Sequence, residues 1–297
     1  MNQATRKILL IGRVGQLGWE LRRTLPTLGE LTAVDFPDID LTKPDSILAC
    51  VASAQPSIIV NAAAYTAVDK AEAEEGLALK LNGTAPGILA EWAKKKAALL
   101  VHYSTDYVYD GTKAGAYVET DTPNPLNAYG RTKLAGDRAI AQAGGAHLIL
   151  RTSWVYGARG QNFLLTMQRL AQTKPELRIV DDQIGSPTSS RMIAEATAQI
   201  LAQLLRKKDV GIQAVYHLSA NGQVSWHGFA RAIIAKLKIA SFDLKNLLPI
   251  PTEQYPTPAR RPKNSVLSKV RLQADFGIVP PDWEQSLDLV IEEMGPR

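Results

Sequence analysis

Along the first 155 residues, short unbroken apolar runs alternate with longer stretches in which apolar residues recur every three or four positions. The runs are "KILLIG" (7–12), "LTAVDF" (31–36), "SIIVNAAA" (57–64), "LLVHYS" (99–104) and "HLILRTS" (147–153). Between them lie segments of helical period at 16–28, 43–54, 74–96 and 129–143. A strand that is apolar throughout has both faces covered, and strands separated by helices pair in parallel. The pattern therefore predicts an α/β fold with a doubly wound parallel sheet, Rossmann-like, whose ligands sit at the carboxyl ends of the strands.

Beyond about residue 155 the alternation loosens. Strands are predicted at "LRIVDD" and "AVYHLSA" and helices at 190–206, 225–238 and 283–294. A proline-rich stretch, "LPIPTEQYPTPARRP" (248–262), precedes the last helix. This half reads as a smaller, partly interleaved substrate domain formed by about 156–185 and 223–297. Residues 1–155 and about 186–222 form the dinucleotide-binding part.

Composition narrows the class without naming a chemistry. The chain has 297 residues, 45% hydrophobic and 21% charged, and resembles ordinary globular sequences. It has one cysteine, Cys50, so no intrachain disulfide forms, which fits a reducing cytoplasm. "MNQATRKILLIG" reads as a first strand and not as a signal peptide, and no apolar run approaches the roughly 18 residues of a membrane span. The net charge of +5 is scattered, with Lys94-Lys95-Lys96 the longest basic run. Solvated surface and a small-anion pocket account for such a distribution better than nucleic acid does. No His, Cys, Asp and Glu spacing marks a metal site, and His102, His147 and His217 read as structural residues of strand-like runs. Asn82-Gly83-Thr84 matches a glycosylation sequon but falls within a helical stretch.

The first strand runs into "IGRVGQLGWEL", where Gly12, Gly15 and Gly18 follow a G-x-x-G-x-x-G spacing. Glycines at a strand-helix turn let backbone N–H groups approach a pyrophosphate at the positive end of the helix. Asp35 follows about 20 residues later, where an acid hydrogen-bonds an adenosine ribose. A carboxylate there favours NADH, Arg13 could admit NADPH, and both cofactors remain open.

Tyr-x-x-x-Lys occurs twice, as Tyr109/Lys113 and as Tyr129/Lys133. The first copy runs straight into Asp110-Gly111, a turn signal that leaves the pair without a common register. In the second, "AYGRTKLAGDRAIAQA" has helical period, so Tyr129 and Lys133 share a face. A phenol is a poor acid-base group near neutrality unless its anion is stabilised, and an ammonium one turn away supplies that. Thr105, at the end of "LLVHYSTDY", can donate to the same substrate oxygen.

The glycine turn, "NAAAYTAVDKAE", "STDYVYDG", "PLNAYGRTKLAGD", "RTSWVYG" and "YPTPARRPKNSVL" together resemble the extended short-chain dehydrogenase/reductases, from about residue 7 to 290. The resemblance implies NAD(P)H-dependent reduction of the C4 ketone of dTDP-4-dehydro-6-deoxy-L-mannose to dTDP-L-rhamnose, a precursor of cell-surface polysaccharide. Tyr129 would donate the proton, Lys133 lower its pKa and bind the nicotinamide ribose, and Thr105 polarise the ketone. Gly15, Gln16 and Leu17 would touch the pyrophosphate, and Asp35, Asp40 and Leu41 the adenosine end. Ala64, Tyr65, Thr66 and Tyr103 would line the cofactor cleft, and Asp106 and Trp154 contact the sugar nucleotide. Arg260 or Arg261 offers a guanidinium fork to the substrate diphosphate, in preference to a structural ion pair. Related dehydratases carry an acid where Tyr107 stands, which favours reduction here. An epimerase or dehydratase, or a non-catalytic regulatory subunit, are the alternatives, and retention of Thr105, Tyr129 and Lys133 speaks against the subunit. Some relatives are Mg2+-bridged dimers, with an acid where "GSPTSSRM" places Arg191. A cation there predicts no bridging metal, and the chain as a monomer or weak homodimer.

Overall fold

The computed structural model describes residues 6–207 and 211–295. Six parallel strands form the central sheet: β1 (Lys7–Ile11), β2 (Glu30–Val34), β3 (Ile58–Asn61), β4 (Leu99–Thr105), β5 (His147–Thr152) and β6 (Gln213–His217). They lie in the order β2-β1-β3-β4-β5-β6. β3 and β4 are buried at every residue, as a strand covered on both faces requires. The chain leaves β1 towards β2 and then returns past β1 to β3. That reversal opens a crevice at the carboxyl ends of β1 and β3.

Two helical layers cover the sheet. On one face α1 (Gln16–Thr24) packs against α6 (Ser190–Lys207). The other face carries α2 (Pro44–Ala54), α3 (Ala85–Lys95) and α4 (Ala128–Ala143), with α3 wedged between its neighbours. The apolar side chains divide accordingly: Leu10, Val60 and Val101 point into the first layer, and Leu9, Ile59 and Leu100 into the second. Alternate residues of one strand thus serve two cores.

The long helix predicted over 74–96 is three pieces. Glu75–Leu79 and α3 are α-helical, and between them Lys80–Thr84 forms a π turn. Helices not predicted include α5 (Phe163–Thr173), α8 (Val270–Phe276) and the single turn Val68–Ala71. The helices predicted at 225–238 and 283–294 are α7 (Trp226–Leu237) and α9 (Trp283–Met294). Small strand pairs stitch the second half together. Leu177–Val180 runs parallel to Leu247–Ile250, Val155–Tyr156 parallel to Thr188–Ser189, and Ile184–Gly185 antiparallel to Val224–Ser225. Among the described residues, no helix is long and apolar enough to cross a membrane.

Candidate active site

A cavity of about 810 Å3 occupies the crevice beside β1 and β3. Gly12, Gly15, Gln16, Leu17, Asp35, Asp40, Leu41, Ala64, Tyr65, Thr66, Tyr103, Tyr129 and Lys133 all line it. The expected cofactor residues are therefore gathered on one wall system, with Gly18 alone behind it. Gly18 is needed for closeness: a Cβ there would stand 1.8 Å from the Gly12 carbonyl oxygen. Gly12 itself has φ +93° and lies against the Ala62-Ala63 backbone, so position 12 tolerates no side chain.

Asp35 stands one residue past β2, and its carboxylate is pinned by the turns around it. Val14 N–H donates to Oδ2 (3.1 Å) and Phe36 N–H to Oδ1 (2.9 Å). Arg13 turns away from the cavity, paired with Asp38 at 3.0 Å and donating to the Ala33 carbonyl. The Asp40 carboxylate accepts from the Thr42 backbone and hydroxyl, which holds its pKa down to about 2. The opposite wall depends on Asn82, in the π turn. Its Oδ1 accepts from Tyr65 N–H (2.8 Å), and its Nδ2 donates to the Tyr65 carbonyl (3.1 Å) and to Thr132 Oγ1. This buried amide fixes the backbone at Tyr65, so the sequon residue is an internal strut.

The tyrosine helix starts against the end of β4. Asn127 caps α4, its Oδ1 accepting from Gly130 N–H (2.8 Å), while its Nδ2 donates to the Arg260 carbonyl (2.8 Å). Gly130 permits this approach, because a Cβ would lie 2.2 Å from the Tyr107 carbonyl oxygen. Tyr129 thereby reaches the cavity with the Tyr107 ring edge-on at 5.9 Å. Burial raises the Tyr129 pKa, and the neighbouring Thr105 hydroxyl offsets only part of that rise.

Lys133, one turn along α4 from Tyr129, also lines the cavity and is anchored to β4. Its Nζ donates to the Tyr103 carbonyl (2.6 Å) and lies 3.1 Å from His102 Nε2. Lys133 is 1% exposed, and burial pulls its pKa down to about 8 against the opposing pull of Asp137. The phenol is thus held neutral and the lysine is drawn towards the sheet. Thr105, beside Tyr129, is hydrogen-bonded within the turn that follows β4. Its hydroxyl donates to Asp106 Oδ1 (2.9 Å) and accepts from Tyr107 N–H (3.1 Å). Asp106 is buried and accepts from Ser153 as well (2.9 Å); burial raises its pKa to about 6 against the lowering by these hydroxyls. Tyr103 contributes through its carbonyl, since its own hydroxyl bonds Thr197 Oγ1 on α6 at 2.9 Å.

None of the five expected substrate residues is in the cavity lining; besides Thr105 and Asp106 these are Trp154, Arg260 and Arg261. Trp154 has φ +47°, with its ring stacked on Trp226 at 3.5 Å between centroids and set against Gly185. Arg261 forks onto Asp69 (2.9 and 3.2 Å), the structural ion pair that was weighed against a diphosphate contact. Arg260 is exposed and makes no ion pair among the described residues. Arg191 reaches Glu293 at 3.3 Å and Glu20 at 3.6 Å, placing its guanidinium between two carboxylates.

Some site residues escaped sequence reasoning. Ser104 and Thr152 line the cavity with buried hydroxyls that have no hydrogen-bond partner among the described residues, as acceptors and donors for a polar ligand group. Asn61 and His102 stand behind Lys133, each within a strand-like run. A polar residue in an apolar strand run was the available signal. Tyr109, the other copy's tyrosine, is fully buried and bonds Arg151, His217 and the Val118 carbonyl.

Residues 6–295 match the family model described as the RmlD substrate binding domain. The dTDP-4-dehydrorhamnose reductase of Burkholderia thailandensis is 48% identical over 97% of this chain and 99% of its own length. That of Escherichia coli K12 is 43% identical over 97% of both. A crystal structure of dTDP-4-dehydrorhamnose reductase from Bacillus anthracis, in complex with NADP, superposes with a TM-score of 0.88 at 33% identity. The match covers 98% of this chain and all of that one.

Proposed function

The chain belongs to the RmlD substrate-binding-domain family, and from that premise we infer that it reduces the C4 ketone of dTDP-4-dehydro-6-deoxy-L-mannose to dTDP-L-rhamnose. One observation carries the reading: a single cavity at the carboxyl ends of β1 and β3 is lined by the glycine turn, Asp35, Tyr129 and Lys133 together. A bound nicotinamide dinucleotide, NADPH or NADH, supplies the hydride. Gly12, Gly15 and Gln16 at the N-terminus of α1 hold its pyrophosphate, Asp35 and Asp40 border its adenosine end, and Ser104 and Thr152 offer unpaired hydroxyls at the inner end. Tyr129 donates its proton to the ketone oxygen. A phenol kept neutral by burial is in the right state to do so. Thr105, relayed to Asp106, keeps a hydroxyl beside that phenol. The segment around Arg260, tied to the cap of α4 through Asn127, closes the substrate side, with Arg260 as the diphosphate contact.

The test is direct. Purified protein is mixed with dTDP-4-dehydro-6-deoxy-L-mannose, and consumption of NADPH and of NADH is followed in separate cuvettes. Turnover to dTDP-L-rhamnose supports the reading. Intact cofactor binding with neither cofactor oxidised overturns it.

A further inference from the structure

Lys133 and the two polar side chains behind it, His102 and Asn61, form a buried row at the inner end of the cavity. Asn61, His102 and Lys133 are each 1% exposed. The Asn61 amide faces two neighbours, the Ala63 N–H at 3.3 Å and His102 Nδ1 at 3.2 Å. A backbone N–H only donates, so Oδ1 must face Ala63, and Nδ2, a donor, must face the imidazole. His102 Nδ1 then carries a lone pair. A neutral imidazole has one N–H, which is left on Nε2, and Nε2 stands 3.1 Å from Lys133 Nζ.

An ammonium has three donors and no acceptor, so it would set N–H against N–H at that contact. A neutral amine has a lone pair for His102 and still donates to the Tyr103 carbonyl at 2.6 Å. We propose that Asn61 locks His102 as the Nε2–H tautomer and that His102 thereby holds Lys133 as a neutral amine in the ligand-free protein at neutral pH. His102 is then a positioning residue for the proton chemistry of Tyr129, acting through Lys133; this rests on the reductase reading. The other groups near Lys133 do not reverse it. Tyr129, one turn back on α4, is a neutral phenol. Asp137, one turn on, favours the cation, but its charge is shared with Arg151, which bonds Oδ2 through both Nε and Nη2 at 3.2 Å. Burial lowers the proton affinity of Lys133 to about 8, and the His102 N–H aimed at its nitrogen lowers it further.

The tautomer can be read without any turnover. In protein carrying 15N-histidine, long-range 1H–15N spectra distinguish Nε2–H from Nδ1–H, and the His102 signal is the one lost in His102→Gln, or the one left after assigning His147, His217 and His227. The Nε2–H form is expected; the Nδ1–H form, or an imidazolium, overturns the proposal. In kcat/KM against pH, the Lys133 limb is expected below 8. It moves upward by about one pH unit in His102→Leu, roughly the effect of one hydrogen bond. His102→Gln, whose amide accepts from Asn61 and donates to Lys133, brings it back. A limb that stays put or moves down in the Leu variant overturns the proposal, and the tautomer still decides if that variant does not fold. An Nε2–H tautomer in a protein without ketoreductase turnover would count against the reductase reading alone.

Discussion

The two Tyr-x-x-x-Lys copies differ in which partner the fold hides. In Tyr109/Lys113 the tyrosine is fully buried, and the Lys113 side chain is 38% exposed and paired with Asp121. In Tyr129/Lys133 the arrangement is inverted: the lysine is buried, and the tyrosine opens on the cavity. Spacing alone does not distinguish them. What does is that only the second copy starts a capped helix, and that helix abuts the end of a central strand. A tyrosine donates a proton only where a ligand can reach it. A buried tyrosine bonded to Arg151 and His217 is part of the frame.

The contrast can be broken at several points. Tyr129→Phe carries the largest expected effect, a loss of about 10²–10⁴-fold in kcat with cofactor affinity nearly unchanged, measured by steady-state kinetics and dinucleotide titration. Asp106→Asn, at the turn leading out of β4, should change how stability depends on pH. The wild-type carboxyl binds its proton more tightly when folded, so its stabilising contribution is present below about pH 4 and lost as pH rises to about 6. The shift from 3.8 to about 6 corresponds to about 3 kcal/mol. Urea unfolding across that window should show the variant gaining on the wild type by an amount of that order. Tyr109→Phe should cost about 1–3 kcal/mol of stability, because Arg151 and His217 lose a buried partner, and should leave kcat within a few-fold. If it lowers turnover more than Tyr129→Phe, the two copies have been assigned the wrong way round. Lys113→Met is the smallest, within about 1 kcal/mol by thermal unfolding, as for other partly exposed ion pairs.

Much of this was legible in the chain. The five N-terminal strands were readable because central parallel strands are apolar on both sides, which leaves continuous runs that amphipathic segments do not imitate. The cavity lining was readable because Gly12, Gly15 and Asp35 stand just past strand ends and Tyr129 at a helix start, where local sequence and position in the fold coincide. α5 was missed although Leu164, Met167 and Ala171 keep helical spacing and the strand-like run "LRIVDD" follows it. α8 has only seven residues, too few to display a period. His102 and Asn61 were illegible for another reason. They stand side by side on the neighbouring strands β3 and β4, 41 residues apart in sequence, and the lysine they meet comes from a helix further on. Which polar residue faces which is decided by strand register, and single-residue patterns do not contain it. The same holds for Arg261 and Asp69, 192 residues apart.

The π turn at Lys80–Thr84 carries a consequence for insertions and deletions. Such a turn is a helix with one residue too many, and it swings the positions after it by about 100° relative to an α-helical phase. Here that extra residue aims Asn82 inward onto the Tyr65 backbone. Deleting one residue from this segment would let the helix run on regularly, with better hydrogen bonding than before, and would rotate the amide off its strut. The damage would show in the cavity wall and hardly at all in helix content. A deletion that repairs the helix would disable the site, so secondary structure is a poor guide here to which length variants still work.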